Sequence, residues 1–111
     1  MDDVKPVKSV IVMGPTQPVA FSIYRITFGE YVYIGHTRDI HNRAYRHATD
    51  KRRKIGILFS CDSCCSMLVE HLEGASTKCQ AQDLEREHIQ REQERVGDKL
   101  LNTHHARPKK K

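Results

Sequence analysis

A chain of 111 residues is large enough for one small domain around a single compact core. It holds nothing approaching the ~18 consecutive apolar residues of a membrane span, and its opening, Met-Asp-Asp-Val-Lys-Pro, lacks the basic-then-apolar pattern of a secretory signal, so a cytoplasmic protein is expected. Net charge is +5, and seven cations (Arg38, Arg43, Arg46, Lys51, Arg52, Arg53, Lys54) crowd one stretch that carries only two acids, Asp39 and Asp50. Together with the basic tail Arg107-Pro-Lys-Lys-Lys111, this clustering favours a polyanion such as nucleic acid over a merely solubilising surface. A membrane-surface role is disfavoured, because no amphipathic apolar face accompanies the tail.

Residues 1–19 read as an arm in which Lys8-Ser-Val-Ile-Val-Met13 could add one strand before Gly14-Pro-Thr-Gln-Pro18 breaks the chain. Residues 21–27 and 31–35 are rich in aromatic and β-branched side chains and flank Phe28-Gly29-Glu30, which predicts a hairpin. Thr37 is placed to cap a helix running to about Ala48, with Asp39 in its first turn. A basic loop over 49–54 leads to Ile55-Gly-Ile-Leu-Phe59, ambiguous between helix and strand. Residues 66–72 predict a third strand ended by Gly74, and Ser76 or Thr77 opens a long helix that runs to about Glu94 and stops at Gly97. Leu100-Leu-Asn102 follows as an extended segment, and 103–111 as a disordered tail. No internal repeat is present.

Cys61, Cys64, Cys65 and Cys79 are the four cysteines. Cys61-Asp-Ser-Cys-Cys65 resembles half of a zinc site that Cys79 or His71 could complete. A second paired knuckle is missing, so reduced thiols are the expectation and zinc the lesser reading.

Helical spacing singles out polar residues on apolar faces. In the first helix Ile40, Arg43, Ala44 and His47 share one face, so Arg43 and His47 point at the sheet beside the hairpin while Asn42 and Arg46 point outward. In the second, Ala81, Leu84, Glu85, His88 and Ile89 share a face, and Glu87 projects away from it. A carboxylate held inward is costly unless paired or bound to a metal, so Glu85 is either a ligand or the partner of a buried ion pair, for which Arg43 is one candidate.

Ser22-Ile-Tyr24 and Tyr33-Ile-Gly35 resemble the paired motifs of the GIY-YIG nuclease family. Arg43 lies ten residues after Tyr33, as the helical arginine of that family does, and His47 matches a histidine often found one turn later. The Ala81-x-x-x-Glu85-x-x-x-Ile89 pattern resembles the helix that carries the family's metal-binding glutamate, and Leu101-Asn102 its closing asparagine. The likeness spans residues 21–102. It departs from the family at Ser22, which replaces a glycine, and in the cysteine-rich segment; Glu87 competes with Glu85 in alignment.

The resemblance implies a small α/β (α+β) domain over 20–103, with a central antiparallel sheet of about three strands flanked by helices, the arm 1–19 before it and a basic tail over 104–111. It implies a metal-dependent endonuclease acting on DNA through one Mg²⁺, for which Mn²⁺ substitutes. Glu85 is then the metal ligand and Arg43 stabilises charge on the phosphate. Tyr24 or Tyr33 activates water, His47 orients a tyrosine or moves a proton, and Asn102 holds the site or touches phosphate. Arg46, Lys51, Arg52, Arg53, Lys54, Lys109, Lys110 and Lys111 are the candidate contacts to the nucleic-acid backbone. A compact chain with one site is expected to nick; dimerisation or a protein partner would supply further specificity. The rival reading is a non-catalytic nucleic-acid-binding module that retains the fold. His36, His41, His71, His88, His104 and His105 receive no role.

Overall fold

The computed structural model describes residues 8–50, 52–61 and 66–102. A four-stranded mixed sheet forms the centre, with strands β1 (Ser9–Met13), β2 (Phe21–Phe28), β3 (Tyr31–Thr37) and β4 (Ser66–Ala75) in the order β1-β4-β2-β3. Helices α1 (Ile40–Thr49) and α2 (Lys54–Cys61) pack toward one face and α3 (Lys78–Val96) toward the other. The expected three antiparallel strands β4-β2-β3 are present, and β1 adds a fourth that runs parallel to β4, from Ser9 beside Ser66 to Met13 beside Glu70. No helix among the described residues is long and apolar enough to cross a membrane.

The hairpin follows from period-two alternation. Tyr24, Ile26 and Phe28 of β2 face α1 and α2, whereas Phe21 and Ile23 face α3. Gly29 takes a φ of 56° at the reversal, a left-handed conformation that glycine adopts without a Cβ penalty. Ser22 sits without strain where the family pattern has glycine. It is buried, lies opposite Gly74 on one side and Thr37 on the other, and no non-glycine residue has a positive φ among the described residues.

Several boundaries differ from the sequence expectation for local reasons. Thr37 belongs to β3, and Asp39 is the cap of α1, its carboxylate accepting the Asn42 N–H at 3.1 Å. Thr37 instead braces the turn, its hydroxyl accepting the Asp39 N–H. The ambiguous 55–59 stretch is helical, because Ile55 and Phe59 stand one turn apart and both enter the core under α1. Gly74 does not end β4, which continues to Ala75 opposite Phe21. The tail and the cysteines at 64 and 65 lie outside the described residues; Cys79 is exposed.

α3 is held at both ends. Thr77 caps it, its hydroxyl accepting the Gln80 N–H at 3.1 Å, and Gly97 closes the far end. Near that end Glu92 is buried, and its charge is matched by Arg25 of β2 at 2.9 Å and Arg95 at 2.6 Å. Arg25 also bonds Glu70 of β4, while His88 of α3 reaches Glu73 of β4 at 2.6 Å. These polar clamps fix the rotation of α3 on the sheet and so the direction in which Glu85 points. After the helix, Leu101 donates its N–H to Val32, laying the chain beside β3.

Thr77→Ala removes the helix cap and is expected to lower stability by about 1 kcal/mol, within the usual range for lost caps. The neighbouring Ser76→Ala should change it by less than about 0.5 kcal/mol. Urea denaturation of both variants against the unaltered chain checks the pair.

Candidate active site

A pocket of about 460 Å³ opens between α1, β3 and α3, lined by Tyr24, Tyr33, Gly35, His36, Arg43, Gln82, Glu85, Arg86 and Ile89. The hairpin supplies both tyrosines, α1 the arginine and α3 the glutamate. β3 is an edge strand, so side chains from the two helical layers meet around it.

Gly35 is what lets them meet. It lies beside Tyr24 across the β2–β3 ladder, and a Cβ placed on it would stand 2.4 Å from the Tyr24 hydroxyl and 2.5 Å from Cζ. The phenol therefore rests on bare backbone, which only glycine provides. From there the Tyr24 hydroxyl reaches His47 Nε2 at 2.9 Å. His47 stands behind the lining, packed against both tyrosine rings with centroid separations of 6.0 Å to Tyr24 and 5.1 Å to Tyr33. Its Nδ1 is buried with no hydrogen-bond partner among the described residues.

Burial and charge set the protonation states. Burial pushes the Tyr24 phenol far above its ordinary value and Tyr33 adds to this, while Arg43 opposes it. Burial likewise raises Tyr33, with Glu85 adding to the effect and Arg43 and Arg53 opposing it. His47 is pushed down to about 4, first by burial and then by Arg43, Arg53 and Arg46, so its imidazole is neutral at pH 7. Both tyrosines are phenols in this state.

Arg43 is half-buried, and no carboxylate lies within ion-pairing distance of its guanidinium among the described residues. Glu85 is not its partner. That buried carboxylate is bonded through Oε1 to His36 Nδ1 at 2.6 Å, its Oε2 has no protein donor among the described residues, and Glu85 lines the pocket. Glu87 is exposed on the outer side of α3 and lies 3.7 Å from Arg91.

Asn102 is brought to β3 but not to the pocket. It is fully buried; its Oδ1 accepts the Ile34 N–H at 2.8 Å and its Nδ2 donates to the Ile34 carbonyl at 2.6 Å. It thus holds in place the strand that carries Tyr33, Gly35 and His36. Arg46, Arg52, Arg53 and Lys54 are exposed, and Asp50 holds Arg52 and Arg53 at 3.2 Å each. Arg53 acts electrostatically on both Tyr33 and His47, although no residue of the basic loop lines the pocket among the described residues. Lys51 and Lys109, Lys110 and Lys111 lie outside the described residues.

Sequence reasoning passed over His36, Gln82 and Arg86. The signal for His36 was the alternation of β3, since Tyr33 and Gly35 face α1 and the residue after them must face α3. Gln82 and Arg86 flank Glu85 at helical spacing.

The residues fit a hard divalent cation. One buried carboxylate with a free oxygen, in an open pocket, suits an ion that keeps most of its waters. Among the described residues no three His, Cys, Asp or Glu side chains cluster, so a cation here would take few ligands from the protein.

Gly35→Ala is expected to drive the Tyr24 ring off the strand and break its bond to His47. With the ring displaced and the imidazole less buried, the His47 pKa, followed by NMR titration, should move from about 4 toward its ordinary 6.5 in a protein that keeps its circular dichroism. An unchanged titration would mean that the ring does not depend on Gly35.

The model of one protein family, described as the GIY-YIG catalytic domain, matches residues 20–99. Neither the curated proteins nor the solved structures gave a match. The matched stretch covers most of the 111 residues and contains every residue lining the pocket, and on that basis the chain belongs to the GIY-YIG family, whose domains are generally endonucleases.

Proposed function

We propose that this protein is a divalent-cation-dependent endonuclease that hydrolyses DNA phosphodiester bonds one strand at a time. The observation that carries this reading is the meeting of Tyr24, Tyr33, Arg43 and Glu85 in one pocket, with a neutral His47 against the Tyr24 hydroxyl. Glu85 would hold Mg²⁺ or Mn²⁺, and the bound ion would supply Lewis-acid stabilisation of phosphate oxygens and of the departing alkoxide.

Tyr24 is the better candidate for the base. Its hydroxyl is bonded to His47 Nε2, which would accept its proton when the imidazole carries its hydrogen on Nδ1, and Tyr33 has no hydrogen bond of that kind among the described residues. The high cost of a Tyr24 phenolate argues for a relay: as the attacking water gives its proton to the Tyr24 oxygen, the phenolic proton passes to His47 Nε2. Burial depresses the basicity of His47 and Arg43 and Arg53 depress it further, and a phosphodiester entering beside the arginines would offset their share. The substrate thereby raises the proton affinity of the group that must accept the proton. Arg43, with no carboxylate partner among the described residues, would bind the phosphate as its charge develops. Arg46, Arg52, Arg53 and Lys54 would track the backbone without reading sequence, with Lys51 and Lys109–Lys111 as further contacts.

The decisive experiment is conversion of supercoiled plasmid in Mg²⁺, Mn²⁺ or EDTA. Cation-dependent nicking is expected, and Glu85→Ala should reduce it by about 1,000-fold, as losing several kcal/mol of metal assistance implies. Full activity in Glu85→Ala, or no cleavage of any DNA form by the folded protein, would overturn the proposal.

Acid stability follows from the same histidine. Its folded pKa of about 4 lies below the ordinary 6.5, so between those values the unfolded chain binds the extra proton. Its contribution is therefore fully present above pH 6.5 and is lost as the pH falls toward 4, by at most about 3 kcal/mol. Urea midpoints measured across that range should fall more for the unaltered protein than for His47→Gln.

A further inference from the structure

We infer that His36 is the positioning residue of the Glu85 carboxylate, donating its Nδ1–H to Oε1 so that Oε2 is turned to the pocket for a divalent cation. This role rests on Glu85 being the cation ligand.

The direction of the bond follows from chemistry. An ionised carboxylate can only accept, so at 2.6 Å the proton belongs to Nδ1. The imidazole is itself held on three sides. The β2–β3 ladder fixes its backbone opposite Ile23, the Phe21 ring meets it edge-on with centroids 6.3 Å apart, and Glu85 closes the third side. Arg38 stacks over the other neighbour of this group, 5.2 Å from the Phe21 centroid, and steadies the aromatic wall.

Glu85 has no comparable anchor of its own. Three side-chain torsions separate its carboxylate from α3, and Arg86 stands next to it in the chain, its one ion pair among the described residues an exposed contact to Asp83. Without His36 the carboxylate would be buried with no donor, a costly state that rotation toward solvent or Arg86 would relieve. A rigid strand residue that bonds a metal-binding carboxylate removes that freedom before the ion arrives. Losing such an outer partner typically weakens metal affinity by about 10–100-fold. Adjacent positions on β3 thus serve opposite faces of the sheet: Gly35 admits Tyr24 from one side, and His36 holds Glu85 from the other.

The test is Mn²⁺ binding to the full chain without DNA, read as loss of the free-ion signal in electron paramagnetic resonance. His36→Ala, His36→Asn and Glu85→Gln are compared with the unaltered protein, each checked for its thermal transition. Asparagine can place an amide N–H near the position of Nδ1–H, so it separates the hydrogen bond from the ring's shape. The expected result is binding abolished in Glu85→Gln, weakened about 10–100-fold in His36→Ala and retained within about threefold in His36→Asn. Unchanged binding in His36→Ala, with loss in Glu85→Gln, would overturn the role of His36 and leave Glu85 as ligand. Equal losses in His36→Asn and His36→Ala would also overturn it, since the hydrogen bond would not be the cause. Retained binding in Glu85→Gln, or none in the unaltered protein, would instead remove Glu85 as the ligand.

Discussion

The Tyr24 phenol lies on Gly35 with no room for even a methyl group between ring and strand, and the rest of the pocket is arranged around that contact. Because the ring crosses β3 at this point, its hydroxyl arrives where α1 offers His47. Because β3 is an edge strand, the same crossing lies open to α3 as well as to α1. Two helical layers that a sheet would ordinarily keep apart can therefore contribute to one cavity. The hairpin register, the polar clamps on α3 and the inward face of α1 all serve to keep four side chains aimed at the gap.

The electrostatics of the pocket are those of a site waiting for an anion. Arg43 has no carboxylate partner among the described residues, and the His47 imidazole behind the pocket is neutral first through burial and then through the field of Arg43 and Arg53. The buried carboxylate is hydrogen-bonded to His36 rather than paired with an arginine. That division matters physically. Had Glu85 paired with Arg43, the strongest anion-binding group and the best oxygen donor of the pocket would have neutralised each other.

Much of this was legible in the sequence because helices report their buried face. Arg43 and His47 fall in step with Ile40 and Ala44, and Glu85 with Ala81 and Ile89, and all three point as that spacing requires. The tyrosines and Gly35 were legible as motifs on a hairpin with a strong turn signal. What escaped depends on long-range partners. His36 is one polar residue on a strand, ordinary until α3 is known to lie over it. Glu92 sits on the Glu85 face of α3 two turns on, yet its burial is intelligible only through Arg25, which comes from a distant strand. Thr37 and Asp39 are both good caps, and their competition was decided by where β3 ends. The strand at 9–13 was legible as a possible extra strand, but its parallel pairing with β4 was not, since that ladder forms with a segment far along the chain.

Asn102 gives the molecule an order of assembly. Both ends of its amide are spent on Ile34, and it is completely enclosed. Every side chain that lines the pocket precedes it in the chain. During synthesis the ribosome therefore delivers all of the chemistry before it delivers the latch on β3. The strand bearing Tyr33, Gly35 and His36 therefore gains the two hydrogen bonds from Asn102 only when residue 102 has emerged.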